Sequence, residues 1–240
     1  MIDYETHLSI VLRSADYREN DRMLTLLTKE RGKISALARG CRKPGNPLFG
    51  MTEVFVCSEF GFYRKNGRYT ITQGVLVQNF YGIRKRLDAM LTASVVTEAC
   101  ELAGTEQPNA RLFALLANVL FALDRAENQT KPVFVFFVIK LLDIIGMRPI
   151  TDRCVCCGKK RADKINMALG GAVCEACPGE RVPPRYFSQI ETILSQPSKH
   201  IARISLEADD AFVLFCARWL ASGIMYQPKS LKVMLNMLKT

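Results

Sequence analysis

Two histidines and one tryptophan are all that this chain of 240 residues has of those types. The scarcity of histidine limits the chemistry. A catalytic zinc site keeps an open position, most often beside histidine ligands, and His7 and His200 both lie far in sequence from the paired cysteines. Neither histidine supplies the H-x-E that precedes the cysteines of zinc deaminases. No G-x-S-x-G and no H-E-x-x-H occurs. Gly32-Lys33 is not a phosphate loop, because Leu27 stands where that pattern needs glycine and Ile34 where it needs Ser or Thr. The adjacent Asp209-Asp210 pair is explained by capping and dipole effects at a helix start. We therefore expect no enzyme. Long apolar runs are missing too: Pro132–Gly146 is too short to span a bilayer and carries Lys140 and Asp143. The opening "MIDYETHLSI" lacks the basic-then-apolar layout of a signal peptide. No internal repeat or low-complexity run appears. The expectation is a cytoplasmic protein without a membrane partner.

In a reducing compartment, nine cysteines, an odd number, argue against a disulfide framework. Four of them pair off in "CVCCGKKRADKINMALGGAVCEAC", residues 154–177. Cys154, Cys157, Cys174 and Cys177 give C-x2-C-x16-C-x2-C, inside the range of a four-thiolate zinc site. A two-residue gap lets a tight turn bring both sulfurs to about 2.3 Å from one ion. Gly158 and Pro178-Gly179 follow the two pairs as turn-formers, and Gly170-Gly171 permits the return between them. Redox C-x-x-C motifs usually occur singly beside a βαβ unit, and none precedes these. Four thiolates leave no position for water, so the expected zinc is a staple. Cys156 reads as a bystander. Cys41, Cys57, Cys100 and Cys216 read as small core residues.

The net charge of +10 is unevenly placed: residues 1–86 hold 15 Lys and Arg against 8 Asp and Glu. Such a concentration suggests a polyanionic partner for the first third, although a solubilising charge is the plainer alternative. That third contains five β-like runs: "HLSIVLRS", "RMLTLLTKE", "GKISALARG", "MTEVFVCSEFGFYRK" and "RYTITQGVLV". Asn66-Gly67 marks a two-residue hairpin. These runs predict a five-stranded barrel of the OB type over residues 1–80, with an SH3-like barrel not distinguished by composition. From about residue 82 the apolar period becomes helical. A mostly α-helical domain is expected over 81–149 and 183–240, with a zinc-binding insertion at 150–182. The fold class is α+β.

Within the barrel, Ile34, Ala36 and Ala38 should face one side of a strand, and Lys33 and Arg39 the other. Arg42 and Lys43 follow on a loop, while Arg64, Lys65 and Arg68 crowd the hairpin. Phe60, Phe62, Tyr63 and Tyr69 interleave with them, as core residues or as base-stacking surfaces. Arg84, Lys85 and Arg86 open a helix, where cations oppose the dipole unless a polyanion compensates. All ten cations are candidate DNA-binding residues, through phosphate contacts that weaken with salt.

Four stretches carry a wider resemblance: "LTKERGKISALARGCRKP", "IIGMRPITDRCVCCG", "LGGAVCEAC" and "PKSLKVML". In this order they resemble the bacterial DNA repair family RecO, from which Cys156 departs as an extra cysteine. The resemblance implies an N-terminal OB domain and a helical domain holding the zinc unit. It implies binding of single- and double-stranded DNA, annealing of complementary strands and association with RecR. It further implies help to RecA in displacing single-strand binding protein, contact with that protein's acidic C-terminal tail, and association with the nucleoid. Lys131, Lys140 and Arg111 are candidates for the edge of a tail groove. Lys159, Lys160, Arg161 and Lys164 are candidates for a second positive surface. The competing readings are an RNA-binding protein built of the same parts and a protein–protein adaptor.

Overall fold

The computed structural model describes residues 3–125, 130–160, 162–203 and 205–237. Five strands come first: β1 (Asp3–Tyr17), β2 (Asp21–Thr28), β3 (Gly32–Ala38), β4 (Cys57–Lys65) and β5 (Arg68–Gln78). They close in the order β1-β2-β3-β5-β4, with β4 pairing back onto β1 and β3 running parallel to β5. This is the OB connectivity, and closure removes most of the free strand edges. The period of two holds. Val11, Leu24, Leu26, Ile34, Ala36, Ala38, Phe60, Phe62 and Ile71 point inward and form one cluster. The small Ala36 and Ala38 leave room for the two phenylalanines. Asn66 and Gly67 both adopt positive φ, 50° and 76°, as the two-residue turn between β4 and β5 requires.

Part of one expected strand is not a strand. The run from Met51 begins pairing only at Cys57, because Gly50–Thr52 forms a single 3-10 turn. Arg22 Nη1 holds that turn, donating to Thr52 Oγ1 at 2.8 Å and to Glu53 Oε1 at 2.7 Å.

The chain divides into two compact units, Met1–Arg125 and Ala126–Thr240. The first unit therefore includes α1 (Tyr81–Arg84), α2 (Leu87–Ala103) and α3 (Ala110–Arg125), which sequence periodicity groups with the later helices. Specific bonds explain this. Lys33 Nζ donates to the Glu101 carbonyl at 2.5 Å, and Arg13 pairs with Glu101 at 3.3 Å. The expected helix from Ile83 is split between α1 and α2. Arg86 Nη2 reaches the Leu123 carbonyl at 2.5 Å, and Gly82 N–H reaches Asp124 Oδ1 at 2.6 Å. Turning the chain at Lys85 and Arg86 brings both groups to the end of α3.

In the second unit, α4 (Thr130–Ile144) is buried from Val133 to Leu142, as its apolar sequence demands. It packs against α5 (Pro184–Ser195) and α6 (Asp210–Gly223). Tyr186 stacks on Phe212 at 4.0 Å, and Phe215 meets Trp219 edge-on at 5.6 Å. Asp209 caps α6 by accepting from Phe212 N–H at 2.8 Å. Helix α7 (Lys229–Met237) follows. Between α4 and α5 lies a three-stranded sheet of β6 (Lys164–Asn166), β7 (Gly171–Val173) and β8 (Glu180–Arg181), in the order β7-β6-β8. Among the described residues no helix is long and apolar enough to cross a membrane.

Candidate metal centre and nucleic-acid surface

Two turns build the cysteine centre. Gly158 N–H donates to the Cys154 carbonyl at 2.9 Å, and Cys177 N–H to the Cys174 carbonyl at 3.0 Å. Each turn presents both sulfurs of its pair on one side. Gly158 takes φ of 76°, a left-handed conformation that glycine adopts without a Cβ clash. Strand β7 delivers the second turn to the first, because Val155 N–H bonds the Ala172 carbonyl at 2.9 Å. A Cβ on Gly171 would stand 2.4 Å from the Ile150 carbonyl oxygen, so the approach needs glycine there.

The four Sγ atoms of Cys154, Cys157, Cys174 and Cys177 all lie within 4.8 Å of one another. Cys157 and Cys174 are 3.6 Å apart, and Cys174 and Cys177 are 3.7 Å apart. A tetrahedron with arms of about 2.3 Å has edges of about 3.8 Å, so the set fits one ion. Charge argues the same way. Burial raises the Cys154 thiol, but the backbone N–H groups of Cys174, Cys157 and Cys156 outweigh it and bring it down to about 6. Cys177 moves up, chiefly because the neighbouring Cys174 thiol disfavours its ionisation, with burial second. Four thiolates at this spacing would repel one another unless a cation stood among them. Cys156 is exposed and outside the set, while Cys41, Cys57, Cys100 and Cys216 are buried. Burial pushes the Cys57 thiol up to about 11.

The ten candidate DNA-binding cations fall into two groups. Lys33 and Arg86 are spent on carbonyls of α2 and α3. Arg84 donates to the Val54 carbonyl at 2.8 Å, and Lys85 lies 5.1 Å from the centre of the Tyr81 ring. Arg42 is shared between Asp16, at 3.2 Å, and the Glu19 carbonyl, also at 3.2 Å. Arg64 sits over the ring of Tyr69 at 5.3 Å. Among the described residues, Arg39, Lys43, Lys65 and Arg68 carry no acidic partner. Arg18, on the turn between β1 and β2, joins them.

Arg18, Arg39 and Lys43 come together. They line an open cleft of about 700 Å³ with Glu19, Asn20, Asp21, Gly40 and Asn46. The loop after β3 is locked there: Asp21 Oδ1 accepts from Gly40 N–H at 2.7 Å, and Asn46 Nδ2 donates to the Gly40 carbonyl at 2.9 Å. Asp21, one of the two acids of the lining, is thus engaged by backbone, Glu19 being the other, and Arg18 lies over the ring of Tyr17 at 5.3 Å. Sequence reading missed Arg18, although "DYREND" between two strands marks it as a turn cation. Of the four aromatics, Phe60 and Phe62 are core residues and Tyr69 packs edge-on against Phe62 at 5.8 Å. Only Tyr63 stands on the outer face, against Tyr4.

In the second unit, Lys140 is buried and donates to the Leu194 carbonyl at 3.1 Å, which removes it from any groove edge. Lys131 pairs with Asp210 at 2.8 Å. Lys164 reaches the Glu175 carbonyl at 2.7 Å, Lys159 and Lys160 are exposed, and Arg161 lies outside the described residues.

Comparison with known families decides the kinship. A family model described as Recombination protein O N terminal matches residues 1–80, and one described as Recombination protein O C terminal matches residues 84–207. The chain belongs to the RecO family. A relative named DNA repair protein RecO in Bacillus pumilus is 35% identical over 172 residues, covering 70% of this chain and 66% of that protein. One of the same name in Alkaliphilus metalliredigens is 31% identical over 172 residues, covering 70% of each. A third, in Acetivibrio thermocellus, is 29% identical over 179 residues, covering 73% and 71%. The aligned part thus spans about two thirds of these relatives' length. The first model covers the barrel, and the second runs through the cysteine centre.

Proposed function

We propose that this protein is a recombination mediator that holds nucleic acid by its phosphates on the barrel. The supporting observation is the convergence of Arg18, Arg39 and Lys43 on one open cleft, with no acid paired to them among the described residues. Arg42 precedes Lys43 on the same loop, and Lys65 and Arg68 form a second positive patch at the tip of the β4–β5 hairpin. Contacts of this kind track a backbone without reading sequence and suit both single and double strands. Lys33 ties the barrel to α2, Arg84 ties α1 to the segment before β4, and Arg86 ties the α1–α2 turn to α3. The cysteine centre holds one structural zinc ion through Cys154, Cys157, Cys174 and Cys177. A closed four-thiolate shell supplies folding energy and no reaction.

In this reading the protein anneals complementary strands, the barrel holding one while Lys159, Lys160 and neighbouring cations screen the other. With RecR it helps RecA onto DNA covered by single-strand binding protein, whose acidic tail it also binds. The test is annealing of two complementary labelled strands, followed by fluorescence transfer, with DNA and RNA oligonucleotides of equal length as competitors. Accelerated annealing that DNA inhibits better than RNA is the expected result. Preference for RNA would move the protein to the RNA-binding reading. Absence of any oligonucleotide binding would move it to the adaptor reading.

A further inference from the structure

Tyr4 is 75% exposed, although it sits within a paired strand of the barrel. Its cross-strand partner is Tyr63, and the two rings meet at 5.6 Å with their planes 58° apart. Tyr63 is half-buried, so Tyr4 is the ring of the pair that presents its aromatic surface to solvent. The register extends the observation. Tyr63 pairs with Thr70, Thr70 with Leu37, and Leu37 with Met23. Tyr4, Tyr63, Thr70, Leu37 and Met23 thus form one uncharged row across the outer face of five strands, about 19 Å at normal strand spacing. The flanking positions at the open end of β4 and β5 are cationic. Lys65 and Arg68 pair with each other there, two residues beyond Tyr63 and two before Thr70, on the same side of the row. Neither cation carries an acidic partner among the described residues.

We infer that Tyr4 and Tyr63 form a stacking platform for an unpaired nucleobase, with Lys65 and Arg68 holding the phosphates beside it. This inference rests on the nucleic-acid reading above and deepens it. Phosphate tracking alone would treat single and double strands alike, whereas a ring platform takes only bases that are free of a partner strand. Charge complementarity favours this occupant over an apolar segment of a protein: Lys65 and Arg68 border the row beside Tyr63. The platform lies on β1 and β4, away from the cleft lined by Arg18, Arg39 and Lys43. One strand can therefore have its phosphates in the cleft and a base on the tyrosines, which turns the strand's bases outward from its binding groove and leaves the remaining ones free to pair.

The experiment compares a labelled oligothymidylate with an abasic deoxyribose-phosphate oligomer of the same length, by anisotropy at low salt. The wild type should bind the base-bearing oligomer about tenfold more tightly, the ratio expected from a stacking gain near the lower end of its usual range. Tyr4→Ala should bring the two affinities together by weakening only the first, and Tyr4→Phe should keep the preference. Because the Tyr4 ring is largely in solvent, its removal leaves the barrel core intact. An unchanged preference in Tyr4→Ala overturns the platform, as does its loss in Tyr4→Phe. Equal binding of both oligomers by the wild type overturns the platform while leaving phosphate tracking in place. Binding of neither oligomer overturns both readings together.

Discussion

Stripping the metal should unfold residues 150–182 while leaving the helical core of their unit standing. The apolar side chains available to that segment are few: Ile165, Ala172, Val173 and Val182 are buried, and Ile150, Val155 and Met167 are half-buried. Each buried Val or Ile contributes about 1.5–3 kcal/mol. Ordering the backbone costs about 1–2 kcal/mol for every residue, so side chains of this number cannot hold three strands of three, three and two residues. Zinc held by small peptide sites contributes about 10–16 kcal/mol at neutral pH, several times any single side chain here. The remaining core does not depend on it, since Phe134, Phe136, Phe137, Phe212, Phe215 and Trp219 are fully buried among themselves and their helices. Hydrogen exchange before and after chelation reads this directly. The amides of Cys154, Val155, Gly158, Ala172 and Cys177, each bonded to a carbonyl of the unit, should lose protection, and those of α4 and α6 should keep it. Cys174→Ser should lose the stoichiometric metal and Cys156→Ser retain it. Since protons compete with the metal for the thiolates, release should begin as pH falls below neutrality. Retained protection at those five amides after proven metal removal would mean that the segment folds without its metal.

Other outcomes follow from single contacts. Lys33→Ala should lower the unfolding free energy by about 1.5–3 kcal/mol, the worth of a hydrogen bond from a charged donor, and leave the salt dependence of DNA binding unchanged. Denaturant titration and anisotropy separate the two effects. Glu5 is held below its ordinary value of 4.5, because hydrogen bonds from His7 and Arg31 outweigh the burial that raises it. A depressed carboxylate contributes stability above its unfolded value, and that contribution is lost as pH falls through the folded one. The stability gap between wild type and Glu5→Gln should therefore be largest at neutral pH and shrink below 4.5. Thiol alkylation of the metal-loaded protein should mark Cys156 first, and leave Cys41, Cys57, Cys100 and Cys216 unmodified until the protein unfolds. Mass spectrometry of digests checks the order.

The barrel was legible because inward and outward residues alternate along β3, and because Asn66-Gly67 fixes a turn of known length. The cysteine centre was legible from spacing alone, since ligand geometry is local to two tight turns. What sequence could not give is the fate of long cations. Lys33, Arg86 and Lys140 look like surface charge, yet each reaches a carbonyl more than thirty residues away. No local pattern encodes such a contact. The split between α1 and α2 has the same origin, because Arg84-Lys85-Arg86 contains no helix breaker and turns only to satisfy the end of α3. Residues 51–56 carry strand-like composition, but Arg22 draws Thr52 and Glu53 into a turn. The pairing of Tyr4 with Tyr63 is a property of register, which the sequence of a single strand does not show.

If the barrel holds nucleic acid by phosphates gathered at the cleft of Arg18, Arg39 and Lys43, binding must depend on salt through those three side chains. The most direct measurement is single-strand affinity across a range of salt concentrations, for wild type and for the variant with all three changed to alanine. Each phosphate that a cation neutralises on a single strand steepens the slope of log K against log salt by about 0.7, so the variant's slope should be shallower by about 2. A variant that binds with the wild-type slope and affinity would contradict the account.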